Sequence, residues 1–138
     1  MPDPLAVLLH LKKILSPEGV CLIRIPMIDS WAWREYGVDF VQIDAPRHLF
    51  IHSRKSMAFL AAAAGFRIDE TVEESSIFQF WGSELYRRGI PLKAPGPGGS
   101  GPARTIFSEA EMASFRKKAI QLKRRGEGDQ RALFMRHV

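Results

Sequence analysis

"PDPLAVLLHLKKILSPEGVCLIRIP", residues 2–26, holds a complete helix, a turn and a strand in one uninterrupted run. Asp3 is placed to cap the helix, and Pro4 suits the first helical position, where a missing N–H costs nothing. Leu5, Leu8, Leu9, Ile14 and Leu15 make an apolar face, and "SPEG" stops the helix. "VCLIRIP" follows at once, nearly continuous in apolar residues, β-branched at three positions and closed by Pro26. Such a run suits a strand buried on both faces, the habit of parallel sheets.

The pattern repeats downstream. Ser53 can cap a further helix whose buried stripe is Met57, Leu60, Ala61 and Ala64, and Gly65 supplies its left-handed terminator. "FRIDETVEE", residues 66–74, then places Phe66, Ile68 and Val72 on one side of a second strand, with Glu70 breaking the pattern. "SSIFQFWGSELYRRGIPL" reads as a short helical or irregular excursion. The Pro/Gly-rich segment at about 92–103 has the composition of a flexible loop. Ser108 and Glu111 form a capping box flanked by a Phe107–Met112 staple, and Met112, Phe115, Ala119 and Leu122 continue as a helical stripe. "RGEGD" ends that helix and "QRALFMRHV" closes the chain as a third strand. This alternation of helices and strands argues a layered α/β fold, here one domain over residues 1–138.

Composition narrows the function. With 46% apolar and 25% charged residues, a 138-residue chain buries a real core. The longest apolar window, Met57 to Ala64, falls well short of the roughly 20 residues of a membrane span. The N-terminus lacks the basic region of a secretory signal. Cys21 has no cysteine to pair with, which suits a reducing compartment, so a cytoplasmic location is expected. The net charge of +5 is concentrated in Arg116, Lys117, Lys118, Lys123, Arg124 and Arg125. A nucleic-acid patch is one reading of this run. The preferred one is a helix end whose cations suit its dipole, because no aromatic residues interleave the basic ones. There is no GxGxxG, no Walker loop, no metal-ligand spacing and no nucleophile elbow.

What remains is the stretch between the first strand and the helix begun by Ser53, "MIDSWAWREYGVDFVQIDAPRHLFIHS", about 27 residues long. Structureless loops of that length in a compact domain are usually functional. Leaving the carboxyl end of a buried strand, it is placed to form a substrate-facing lid. His48 suits a general base, or else it is a histidine tied to a backbone carbonyl. Asp44 and Arg47 either orient a substrate or pin the loop as a pair. Trp31 and Trp33 would point the same way in an extended run and form an aromatic wall, or simply pack. His52 is expected in solvent. Phe78, Phe80 and Trp81 either close over the same crevice or belong to the core.

These residues resemble a known family. The helix, Pro–Gly turn and strand of residues 2–26 resemble the back half of class I S-adenosylmethionine-dependent methyltransferases. "DSWAWREYGVDFVQIDAPRHLFIHSRKSMAFLAAAAGF" is similar to the small-molecule branch whose lid carries an Asp-x-Pro-Arg-His signature. "GDQRALFMR" resembles the terminal seventh strand, which inserts antiparallel between the fifth and sixth. The resemblance implies a three-layer Rossmann-like half holding strands five, seven and six, without the N-terminal cofactor-binding half. It further implies that Asp44 and Arg47 position a small-molecule methyl acceptor, that His48 is the candidate base, and that Trp33 and Tyr36 line the pocket. S-adenosylmethionine is the cofactor of the complete enzyme, and this chain alone is expected to bind none tightly. The strand at residues 20–25 would be an apolar edge that seeks a partner, so self-association or a second polypeptide is expected. The alternative function is a non-catalytic interaction module or remnant that pairs with another chain.

Overall fold

The computed structural model describes residues 2–92 and 106–138. Apart from Ile90, Pro91 and Leu92, which lead into it, the Pro/Gly segment therefore falls almost wholly outside the described residues. Helix α1, Pro4–Ile14, begins where Asp3 accepts the Ala6 N–H at 2.9 Å. Its last turn is tied down by Lys12 Nζ, which donates to the Gly65 carbonyl at 3.0 Å. Strand β1, Cys21–Pro26, follows. Ser30 then caps a short helix α2, Trp31–Tyr36, and two single 3-10 turns, Gly37–Asp39 and Val41–Ile43, carry the chain onward. Helix α3, Arg54–Ala63, opens on a Ser53–Ser56 capping box, and strand β2, Phe66–Glu74, leads to helix α4, Phe78–Arg87. Helix α5, Glu109–Arg125, has the Ser108–Glu111 box and a left-handed Gly126 at its end, and strand β3, Gln130–His137, closes the chain.

The sheet order is β1-β3-β2, with β3 antiparallel to both neighbours. This is the order that the resemblance implies for strands five, seven and six. Helices α1 and α3 cover one face, where Leu8, Met57, Ala61, Ala64, Phe66, Leu133 and Met135 form the main core. A second helical group, α2, α4 and α5, gathers around Phe40, Phe80, Leu85 and Leu122.

Two expectations are corrected here. β1 is not buried on both faces. Cys21, Ile23 and Ile25 face the main core, while Leu22, 56% exposed, and Arg24 turn to the other side. Helices cover only one face of β1, so the strand alternates like a half-exposed one and the third layer is not formed by the described residues. β2 does not keep Phe66, Ile68 and Val72 on one side either. A bulge between Ile68 and Glu70 leaves Asp69 without a partner, and the pairing restarts as Glu70 with Phe134 and Val72 with Ala132. The extra residue turns the far half of β2 over, so Val72 lies on the face opposite Ile68. Glu70 is no exception once the bulge is counted.

The turn into β3 is tight. A Cβ on Gly128 would stand 2.0 Å from the Glu74 carbonyl oxygen. Gly128→Ala should therefore separate the ends of β2 and β3 and cost about 1–3 kcal/mol, read as a lower urea midpoint with unchanged slope.

Candidate functional site

The chain returns to the carboxyl end of β1 through a strap. Met27 forms a parallel bridge with His52, and the Ile28 N–H donates to the His52 carbonyl at 3.0 Å. Residues 49–52 are not helical, and His48, Phe50 and His52 all face one cleft. Together with Pro4, Ile25, Pro26, Arg47 and Leu49 they line a cleft of about 50 Å³, room for a water molecule or two. Two larger hollows adjoin it, both also lined by Pro4 and His52. One, about 340 Å³, runs between α1, β1 and α3 along Leu8, Leu11, Ile23 and Leu60. The other, about 610 Å³, lies over Leu49, Phe50, Ser56 and Phe59.

Asp44, Arg47 and His48 gather at this strap. Asp44 adopts left-handed backbone (φ 42°), which aspartate tolerates better than most residues, and so reverses the chain. Its carboxylate meets Arg47 Nη1 at 2.7 Å, and its carbonyl accepts the Arg47 N–H at 2.8 Å. The guanidinium is largely exposed, so the pair sets direction more than stability. His48 Nδ1 lies 3.2 Å from the Ile43 carbonyl. A carbonyl only accepts, so Nδ1 carries a proton, and in the neutral ring Nε2 is the acceptor. The ring is thus tethered and lines the cleft at once.

Trp33 and Tyr36 are not brought to this cleft. Trp33 packs against Ala32, Tyr36 and Phe40. Tyr36 is buried, hydrogen-bonded to Glu84, with the Arg87 guanidinium 4.6 Å from its ring centre. Burial, reinforced by Glu84, pushes its phenol pKa far up, so it stays protonated. The physical reason is helix α2: Trp31 and Trp33 diverge on a helix and build no common wall. Trp31 packs instead on Phe80, with Lys118 Nζ 3.7 Å over its ring. Phe80 is core, stacked on Phe115 at 5.3 Å. Within the basic run, Lys123, Arg124 and Arg125 occupy the last turn of α5.

Two residues escaped the sequence reading. His52 is half-buried rather than solvated, because the bridge to Met27 draws it against β1, and burial pulls its pKa down. Its place four residues after His48 was the available signal. Asp129 is fully buried and accepts from Ser76 N at 3.0 Å, Ser76 Oγ at 3.3 Å, Gln42 Nε2 at 2.8 Å and Gln79 Nε2 at 3.1 Å. With both oxygens engaged it clasps three segments together, and desolvation pushes its pKa up. No group of three or more His, Cys, Asp or Glu among the described residues could hold a metal ion. No helix among them is long and apolar enough to cross a membrane.

No family model and no curated protein matches the sequence. Among solved structures the chain is similar to a "putative sarcosine dimethylglycine methyltransferase" from Galdieria sulphuraria, with 18% identity and a TM-score of 0.47. The match covers 99% of this chain and 48% of the other, so the chain spans about half the length of that protein.

Proposed function

We propose that this chain forms the acceptor side of a methyltransferase that moves a methyl group from S-adenosylmethionine to a small molecule. One observation carries the reading. The Asp44–Arg47–His48 strap lies at the carboxyl end of β1, in a sheet whose last strand runs antiparallel between two neighbours that are parallel to each other. Ligands of α/β sheets bind beyond the carboxyl ends of such strands. Methyl transfer asks the protein to align acceptor and donor and to take a proton from the acceptor. Asp44 and Arg47 serve the alignment and His48 Nε2 the proton. Trp33 and Tyr36 support the strap from α2 without meeting the acceptor.

β1 runs into Met27, Ile28, Asp29 and Ser30, and β2 into Ser75, Ser76 and Ile77, so no glycine-rich turn follows either strand. No residue of this chain is assigned to S-adenosylmethionine, and calorimetry on the isolated chain should show no micromolar binding. A polypeptide supplying the glycine-rich turn would pair along β1, whose outer edge has no strand partner among the described residues. Light scattering should therefore find the isolated chain above its 15.6 kDa monomer mass, and a monomer at all concentrations counts against pairing. The free edge also favours a second reading, a non-catalytic module that binds another chain.

The decisive test starts from the DNA upstream of the Met1 codon. A frame encoding a strand and a glycine-rich turn is expected there or in a neighbouring gene. Assembled with that polypeptide, the full chain should transfer labelled methyl groups from S-adenosylmethionine to a small-molecule fraction, and His48→Gln should slow transfer about 10²-fold. An assembly that binds the cofactor and labels nothing leaves the non-catalytic reading standing.

A further inference from the structure

His52 has a defined tautomer. Ser56 Oγ lies 3.0 Å from the Ser53 N–H, which donates to it, and 3.1 Å from the Ser53 carbonyl, to which it donates. A hydroxyl has one proton, and the carbonyl takes it. Toward His52 Nδ1, 3.3 Å away, Ser56 Oγ can therefore only accept. In the neutral ring this arrangement places the proton on Nδ1 and leaves Nε2 without a hydrogen bond to the described residues. The backbone hydrogen bond from Ile28 fixes the residue where the three hollows meet. Burial, which lowers the pKa, favours the neutral ring.

The surroundings select the ligand. Pro4, Leu49 and Phe50 make apolar walls, and no acidic residue lines the cleft or the hollow above it. An ammonium group would find no carboxylate there and would face Arg47. A carboxylate carries no proton for His52 Nε2, and Arg47, the one cation of the cleft among the described residues, is already paired with Asp44 at 2.7 Å. A neutral, weakly acidic O–H or N–H on an apolar ring meets neither objection. The open hollow of about 610 Å³ is ample for such a molecule.

We infer that this crevice binds small aromatic molecules bearing one weakly acidic donor, a phenol or an azole N–H, and that His52 Nε2 accepts that proton. The inference refines the acceptor-side reading by naming the acceptor class, while its evidence is the crevice alone.

The test uses the full chain labelled with ¹⁵N, and phenol, toluene and benzoate as probes. Long-range ¹H–¹⁵N spectra should show His52 protonated at Nδ1 in the free protein. Phenol should shift the His52 Nε2 resonance and bind about fivefold tighter than toluene, the effect of one neutral hydrogen bond. Benzoate should leave Nε2 unmoved, and His52→Phe should abolish the preference for phenol. A proton on Nε2, equal binding of phenol and toluene, an Nε2 shift by benzoate, or no phenol response up to its solubility each overturns the inference. The tautomer is read on the unaltered protein, so a variant that fails to fold does not blunt the test. Phenol bound at His52 in an assembly that transfers no methyl group would refute the methyltransferase reading and leave this site standing.

Discussion

Asp129→Ala should lower stability by about 3–5 kcal/mol, measured by urea unfolding at neutral pH. The side chain is fully buried and holds donors from Gln42, Ser76 and Gln79. Alanine supplies no acceptor, so the Ser76 N–H and the Gln42 amide would lose their partner in places water reaches poorly, while Gln79 would keep Ser75 Oγ and the Ser76 carbonyl. The loss should also spread, because the clasp joins the turn before the strap to the β2–α4 junction and to β3. Asparagine tests the charge separately. The folded-state pKa of Asp129 is raised above its unfolded value of about 3.9, so the folded protein binds the proton more readily. Its titration favours folding most below the unfolded pKa, and that contribution disappears as pH rises through the folded one. Wild type should accordingly gain on Asp129→Asn as pH falls toward 4, and a difference that stayed flat would show that the carboxyl has the same pKa folded and unfolded.

Phe66→Ala is expected to cost a similar amount, about 3–5 kcal/mol. Phe66 is 2% exposed and packs with Ala61, Ala64, Leu133 and Met135 at the start of β2, where α3, the sheet and α1 meet. α3 ends at Ala63 and β2 begins at Phe66, so the neighbours of the ring are held by the chain on both sides and collapse poorly into a cavity. Differential scanning calorimetry should show the melting temperature falling by several degrees per kcal/mol. Phe59→Ala on the same helix is the control. Phe59 is 74% exposed, and its removal should shift the melting temperature little.

The sequence was legible where its signals are short-range. The caps at Asp3, Ser53 and Ser108 each engage a partner three residues away, and the structure shows all three formed. α2 was not legible because six residues are too few to display a 3.6-residue period. The burial of β1 depends on what covers each face, which no local pattern of apolar residues reports. Glu70 did signal trouble in β2, but choosing between an exception and a bulge requires the register against β3. At the site, Asp44, Arg47 and His48 stood out because polar residues crowd an irregular stretch. His52 did not, since its environment comes from Met27, and Asp129 did not, since Gln42, Ser76 and Gln79 lie far from it in the chain.

The hydrogen bond from Ile28 to the His52 carbonyl fixes both ends of the excursion between β1 and α3 at one point on the sheet. A chain segment with anchored ends behaves as a cassette. Its length can change at a closure cost of only about 0.6 kcal/mol per doubling, and no strand has to shift register to admit a different insert. Exchanging residues 44–50, which leaves the buried Phe40 and Val41 and the Gln42–Asp129 hydrogen bond in place, is therefore a direct route to new ligand preferences, with the Ile28–His52 anchor kept.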